Sequence, residues 1–186
     1  YVIVQGEDGT PEAQLNPGAN GAAWFVDSVR LVDGPDAEIA ALGGLDTKTV
    51  AVVDKPFASL VENVAPAADS AARIAMTEYR VNLQRYEYTA AAPGVAVFSE
   101  IYYPKGWTAY LDGVEAPYFR ADYVLRAMVL PAGTHTVEFR FRAPHYELLS
   151  SLTLISSLLL LGGVAAVAGA AGYRAYKKRK DNDGQQ

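Results

Sequence analysis

Apolar and polar residues alternate with a period of two through the middle of this chain, the spacing of strands that bury one face and wet the other. Ile74 and Met76 alternate with Ala75 and Thr77, and Tyr79, Val81 and Leu83 continue the pattern with Arg80, Asn82 and Gln84 between them. Val95 to Tyr103 predicts another strand. Trp107 to Leu111 and Val114 to Phe119 are β-prone runs joined by Asp112 and Gly113, a pair suited to the left-handed backbone of a two-residue hairpin turn. Tyr123 to Leu130 and Thr134 to Phe141 follow, separated by Pro131, Ala132 and Gly133. In the last run Val137, Phe139 and Phe141 face one way and Glu138, Arg140 and Arg142 the other. About six strands with turn residues between them predict an antiparallel sandwich or jelly roll in place of a βαβ fold.

The N-terminal third follows a different pattern. Residues 1–22 are rich in turn formers, with a short strand expected at Val2 to Val4. Residues 23–65 predict a small strand-helix-strand portion: a strand from Trp24 to Leu31, a short helix, and a second strand from Thr49 to Val53. Asp33 is expected to cap the helix and Pro35 to sit in its first turn. Asp36 and Glu38 complement its dipole, Ile39, Ala40 and Leu42 form an apolar face, and Gly43 and Gly44 end it. Ser59 to Ala72, Ala-rich and interrupted by proline, is a connection, and residues 66–147 carry the sandwich.

From Leu148 to Gly172 no residue is charged, which is long enough at about 1.5 Å per residue to cross a hydrocarbon core of roughly 30 Å. Ser150, Ser151, Thr153, Ser156 and Ser157 fall only in its first turns, unlike the polar stripe of a soluble core helix. The predicted fold is therefore mainly β (α+β). It is an antiparallel β-sandwich or jelly-roll-like exported domain with a small α/β N-terminal portion, followed by one C-terminal transmembrane helix at 148–173. Arg174, Lys177, Lys178, Arg179 and Lys180 in the tail, 174–186, set the topology with the tail inside. Ala165 with Gly169, and Ala168 with Gly172, place small residues four apart for helix packing against another span. Tyr173 and Tyr176 suit an interfacial aromatic belt. An exported domain of this size needs an earlier export signal, and the opening YVIVQGEDGT offers none, so the chain is expected to be the C-terminal piece of a longer polytopic protein, or else a mature chain whose signal was removed.

Charge sharpens this division. Residues 1–147 hold 11 Lys and Arg against 19 Asp and Glu, a net of −8, whereas the remainder holds 5 against 2, a net of +3. An acidic exported domain argues against nucleic acid as a partner, and the basic tail suits anionic lipid. Without cysteine there is no disulfide and no thiolate metal site. His135 and His145 have no metal-ligand spacing, and nothing in the pattern calls for a cofactor.

Tyr102, Tyr103, Trp107, Tyr110, Tyr118, Phe119 and Tyr123 crowd one short stretch. Strand aromatics fill the space between sheets. They could also pack against a membrane partner, or stack on sugar faces with Glu100, Asp112, Arg120 or Arg126 as hydrogen-bond partners. Glu100 and Asp112 as a glycosidase pair would need a defined separation, which spacing in sequence does not supply.

The stretch VFSEIYYPKGWTAYLDGVEAPYFRADYVLRAMVLPAGTHTVEFRF, Val97 to Phe141, resembles the C-terminal end of YfhO-family bacterial membrane proteins. NPGANGAAWFVDSVRLVDGPDAEIAAL and TVAVVDKPF are similar to the same family, in its Bacteroidetes-type members. The resemblance implies a protein of many spans, similar to GT-C glycosyltransferases, that uses polyprenyl-phosphate sugars to decorate cell-envelope polymers. In such folds the catalytic acid lies in the first exported loops, so no catalytic residue is carried over to this chain. The implied role is that of a non-catalytic accessory domain plus last span in the bacterial cytoplasmic membrane, with residues 1–147 periplasmic or extracellular. Its implied partners are lipid, the N-terminal transmembrane region of the same protein, and envelope glycan or polyprenyl-phosphate sugar. The other reading is a membrane-anchored glycan-binding or structural β-sandwich module.

Overall fold

A computed structural model describes residues 2–64 and 71–183, with the side chains of 147, 175, 176 and 178–183 outside that description. The predicted connection from Ser59 to Ala72 thus falls partly outside the described residues. The chain forms two units, Tyr1–Arg142 and Ala143–Gln186.

In chain order the first unit holds β1 (Val2–Gln5), β2 (Pro11–Gln14), β3 (Ala23–Val26), β4 (Ser28–Val32), α1 (Pro35–Leu42) and β5 (Val50–Asp54). A 3-10 turn at Lys55–Phe57 and α2 (Ala58–Val61) come next. They are followed by β6 (Arg73–Arg80), β7 (Leu83–Ala90), β8 (Gly94–Ile101), β9 (Trp107–Leu111), β10 (Val114–Ala116), β11 (Phe119–Ala121), β12 (Leu125–Leu130) and β13 (Gly133–Phe141). The strands make an antiparallel five-stranded sheet, β10-β9-β13-β7-β6, and an antiparallel four-stranded sheet, β11-β12-β8-β3. β4 and β5 pair in parallel around α1, and β1 and β2 form a separate hairpin. The predicted sandwich with a small α/β portion is the observed architecture.

Two cores hold it together. Between the sheets, Tyr86, Tyr88, Val137 and Phe139 meet Ala96, Phe98, Met128 and Leu130. The rings of Tyr86, Phe98 and Phe139 pack edge to face, with centroids 4.8 Å apart for Tyr86–Phe98 and 5.0 Å for Phe98–Phe139. On the other face of the four-stranded sheet, Val95, Val97, Phe119, Ala121 and Ala127 pack against Ala51, Val53 and Val61 of the third layer. β8 is therefore covered on both faces, and this is why Val95 to Phe98 is apolar without interruption.

Several expectations are corrected. The alternating run from Ile74 does not continue to Gln84, because the chain reverses at Val81 and Asn82 and returns as β7 in the middle of the sheet. Val81 is 94% exposed and Gln84 is buried, the reverse of the extrapolated pattern. The strand expected from Trp24 to Leu31 breaks at Asp27, where the N–H groups of Asp27 and Ser28 both donate to Thr49 O and turn the chain from the sandwich into the third layer. Asp33 does not cap α1; the cap position is Gly34, and Asp33 pairs with Lys55 at 2.7 Å. Ile39 and Ala40 are exposed, and the residue α1 buries completely is Glu38.

The second unit is α3 (Tyr146–Asp183), whose segment Leu148–Arg174 is long and apolar enough to cross a membrane. Three of the hydroxyls in its first turns bond within the helix, Thr153 to Leu149 O and Ser157 to Thr153 O at 2.8 Å and Ser156 to Thr153 O at 2.9 Å, so these three are satisfied without water. Exposed Tyr146 and Tyr173 lie about 40 Å apart along the axis, a spacing that matches the two interfaces of a bilayer.

Candidate functional site

The most concentrated chemistry lies where the third layer meets the four-stranded sheet. Glu38 of α1, Asp54 at the end of β5, Arg120 of β11 and Asp122 in the β11–β12 turn converge there. Glu38, Asp54 and Asp122 are buried. Nη2 of Arg120 donates to Glu38 Oε2 at 2.8 Å and to Asp54 Oδ2 at 3.3 Å. The remaining oxygens serve the backbone: Glu38 Oε1 accepts the Tyr123 N–H at 2.9 Å, and Asp54 Oδ1 accepts the Gly34 N–H at 2.9 Å. Asp122 closes the free edge of β5, accepting the Val52 N–H on Oδ1 while its own N–H donates to Val52 O, both at 2.8 Å.

These bonds hold a turn that the sequence disfavours. Asp122 and Tyr123 both occupy the left-handed region, with φ of 49° and 70°, a conformation costly for a side chain as bulky as tyrosine. Burial pushes the Asp122 carboxyl up to about 6, with the Val52 N–H opposing and the charge of Glu38 adding to the rise. Its Oδ2, and Nε of Arg120, are buried without a protein partner among the described residues. Sequence reasoning singled out Arg120 and Tyr123 but missed the three carboxylates. Glu38 reads as an ordinary first-turn acid. The one usable signal for Asp122 is a turn between two β-prone runs that lacks glycine, where aspartate is among the few residues that tolerate a positive φ.

The aromatic candidates are dispersed. Tyr102 is half-buried, edge-on to Phe57 at 5.8 Å and beside Tyr118 at 5.3 Å, so it bridges the two cores. Trp107 is half-buried beneath Arg126, whose guanidinium lies 4.3 Å from the ring centroid, and Arg126 also covers Phe139 at 5.0 Å. The other partners of this buried arginine are neutral, Ile101 O at 2.9 Å and Gln84 Oε1 at 2.8 Å. Burial holds its pKa below the ordinary arginine value, against the pull of nearby Glu100. Tyr110 lies under Arg140 at 4.5 Å on the outer face of the five-stranded sheet. Tyr103 and Tyr123 are exposed, Glu100 is half-buried, and the Val124 carbonyl beside Tyr123 accepts the Tyr102 N–H at 2.7 Å. The structure thus brings Arg120, Tyr123 and Tyr102 to one end of the sandwich, and sets Tyr110 apart from them.

Asp112 is committed elsewhere. With φ of 49° and Gly113 at 81°, it makes the expected hairpin turn, and its carboxylate accepts the Thr136 N–H at 2.9 Å and faces His135 Nδ1 at 2.6 Å. The other ring nitrogen of His135 faces Ala132 O at 3.1 Å. On α3, Ala165, Ala168, Gly169 and Gly172 are exposed, as are Arg174 and Lys177; the side chains of Lys178, Arg179, Lys180 and Tyr176 lie outside the described residues. Among the described residues no group of three His, Asp or Glu side chains is arranged to hold a metal ion.

No family model matches the chain, no curated protein matches it, and no solved structure matches it.

Proposed function

We propose that this chain is the C-terminal extracytoplasmic accessory domain and last membrane span of a polytopic YfhO-like protein, a polyprenyl-phosphate-sugar-dependent glycosyltransferase acting on cell-envelope polymers. The reading rests on the resemblance of Val97 to Phe141 and of the upstream segments to that family. It is supported by the order of the parts, a β-sandwich followed by a helix apolar enough to span a membrane.

One observation carries the non-catalytic role. The acids that the fold gathers, Glu38, Asp54 and Asp122, are buried, and apart from Asp122 Oδ2 their oxygens are bonded to Arg120 or to backbone N–H groups. General acid or base catalysis needs a carboxyl group within reach of substrate. In this role the domain shapes the acceptor side of an active site supplied by the membrane region, the small-residue face of α3 docks to another span, and the tail remains cytoplasmic. The test is glycosyl transfer by the full-length protein with polyprenyl-phosphate sugar as donor. Removing residues 1–142 is expected to abolish transfer to the polymer while leaving donor binding intact. Glycosyl transfer or hydrolysis by residues 1–186 alone would overturn the proposal.

Orientation is tested on the full-length protein with any cysteine upstream of this chain replaced, since these 186 residues contain none and accept a single introduced thiol. Ser28→Cys is expected to react with an impermeant maleimide in intact cells, and Lys177→Cys only after lysis.

The exposed rings of Tyr103 and Tyr123 favour one second reading, an anchored module that holds envelope glycan. It requires saturable, glycan-dependent changes in the protein's fluorescence that are lost in Tyr103→Ala and Tyr123→Ala.

A further inference from the structure

The two ends of the sandwich differ in chemistry. At one end lie the β6–β7 turn, the β8–β9 loop, the β11–β12 turn and the exit of β13. These are joined by Phe141 N–H to Asn82 O at 2.9 Å, Arg142 N–H to Gly106 O at 2.8 Å and Tyr102 N–H to Val124 O at 2.7 Å. This end displays Tyr79, Val81, Ile101, Tyr103, Tyr123 and Val124, with Val81 94% and Ile101 67% exposed. Among the described residues of the two main sheets and their loops, Val114 is the one other exposed large apolar side chain. The opposite end, about 30 Å away along β13, presents Ala91, Ala92, Pro93, Pro131 and Ala132. Exposed apolar groups scattered singly need no explanation, but six gathered on the loops of one end do.

Covalent connection limits how far the candidate span can begin from the end of β13. Arg142 closes the domain and Leu148 opens the apolar segment, so six Cα steps separate them and the chain between cannot exceed about 20 Å, whatever direction the helix takes. That reach is shorter than a domain of this size is wide, roughly 35 Å. The apolar end is the end from which the tether leaves.

We infer that this end of the sandwich rests on the bilayer surface, with Val81, Ile101 and Tyr103 in the interfacial layer and lipid as their partner. The inference rests on the membrane reading of α3 and extends it to the domain. Tyrosine beside aliphatic residues is the composition of the membrane interface, where rings occupy the headgroup level. Lys105 and Arg142 stand exposed on the same loops, which places basic groups against anionic headgroups although residues 1–147 carry a net charge of −8, while Arg80 beside Val81 is paired with Glu78. The strain stored at Tyr123, fixed by Glu38 from below, sets that ring on the same rim.

Single-cysteine variants of the whole chain, labelled with an environment-sensitive dye in nanodiscs of phosphatidylethanolamine and phosphatidylglycerol, test this. Val81→Cys and Ile101→Cys are expected to emit to the blue and to lose most of their emission to spin-labelled lipid. Ala92→Cys, exposed at the opposite end, is expected to emit as in water and to be quenched by iodide. Leu159→Cys in α3 reports on the span itself. If Leu159→Cys is quenched by lipid while Val81→Cys and Ile101→Cys behave like Ala92→Cys, the domain stands clear of the surface and the inference fails alone. If Val81→Cys and Ile101→Cys are shielded from both quenchers, the rim is a protein contact and the lipid assignment fails. If Leu159→Cys is accessible to iodide, the membrane reading falls and the inference with it.

Discussion

Oε1 of Glu38 accepts the backbone N–H of Tyr123 at 2.9 Å, across 85 residues of sequence. A short helix in the third layer thereby holds in place a tyrosine whose backbone, left alone, would leave the left-handed region.

Glu38→Ala removes a carboxylate that serves both Arg120 and Tyr123, and leaves a half-buried guanidinium with Asp54 as its remaining acid. The loss expected is about 3 kcal/mol, in the range for breaking a buried charge pair. Tyr123→Gly relieves a positive φ worth about 1–2 kcal/mol but gives up a side chain that is only 37% exposed, so it is expected to destabilise, by less than Glu38→Ala. Urea midpoints of the two variants, compared with the parent, check the order.

Burial raises the folded pKa of Asp122 from the ordinary carboxylate range to about 6. A raised acid binds its proton more tightly in the folded state, so its stabilising contribution is complete below the unfolded pKa and fades as pH rises through about 6. Asp122→Asn keeps an oxygen for the Val52 N–H. The variant is expected to lose stability less steeply than the parent between pH 4 and 6.5, a difference on the order of 2–3 kcal/mol across the window. Parallel urea curves for parent and variant over that range would disprove the assignment.

His135 lies between two acceptors, Asp112 and Ala132 O, which only the imidazolium can satisfy together. The hydrogen bond to Asp112 and then that to Ala132 raise its pKa. The Asp112 carboxyl is lowered, first by the Thr136 N–H and then by His135. The histidine contribution is therefore present below its unfolded pKa and lost as pH rises through the raised value; the aspartate contribution is lost as pH falls through its depressed one. An NMR titration of the imidazole should show the raised midpoint returning toward the ordinary range in Asp112→Asn.

Gly106 has φ of 112°, and a Cβ there would come within 2.7 Å of Phe141 Cε2 and 2.9 Å of Arg142 O. Gly106→Ala is expected to cost at least about 2 kcal/mol, since neither the backbone nor the ring has room to retreat. Gly113→Ala meets no neighbour and carries only the strain of its positive φ, so its melting temperature should fall less.

Local chemistry was the legible part of the sequence. Asp112 and Gly113 announced their turn because left-handed backbone has few tolerant residues, and Val137 and Phe139 announced the buried face of β13 by period alone. β7 was missed because Val81 and Asn82 turn the chain without glycine, and an alternating pattern runs through such a turn unbroken. The burial of Glu38 was hidden for another reason. An acid in a first helical turn has a sufficient local explanation, and Arg120 and Tyr123, which overrule it, are more than eighty residues distant. Tyr103 and Trp107, four residues apart, have opposite surroundings because one lies in a loop and the other under Arg126.

β13 is the strand that leaves the domain toward α3, and it lies in the middle of its sheet, between β9 and β7. A pull on the tether would therefore load β13 along its own axis. Two ladders would resist in shear, with Gly106 gripping Arg142 at the point where the force enters. Had the last strand been an edge strand hanging off one neighbour, the same pull could have peeled it away bond by bond. The topology thus suits the domain to load carried through its C-terminal segment, and makes rupture force in a single-molecule pull a sensitive readout of the Gly106 clasp.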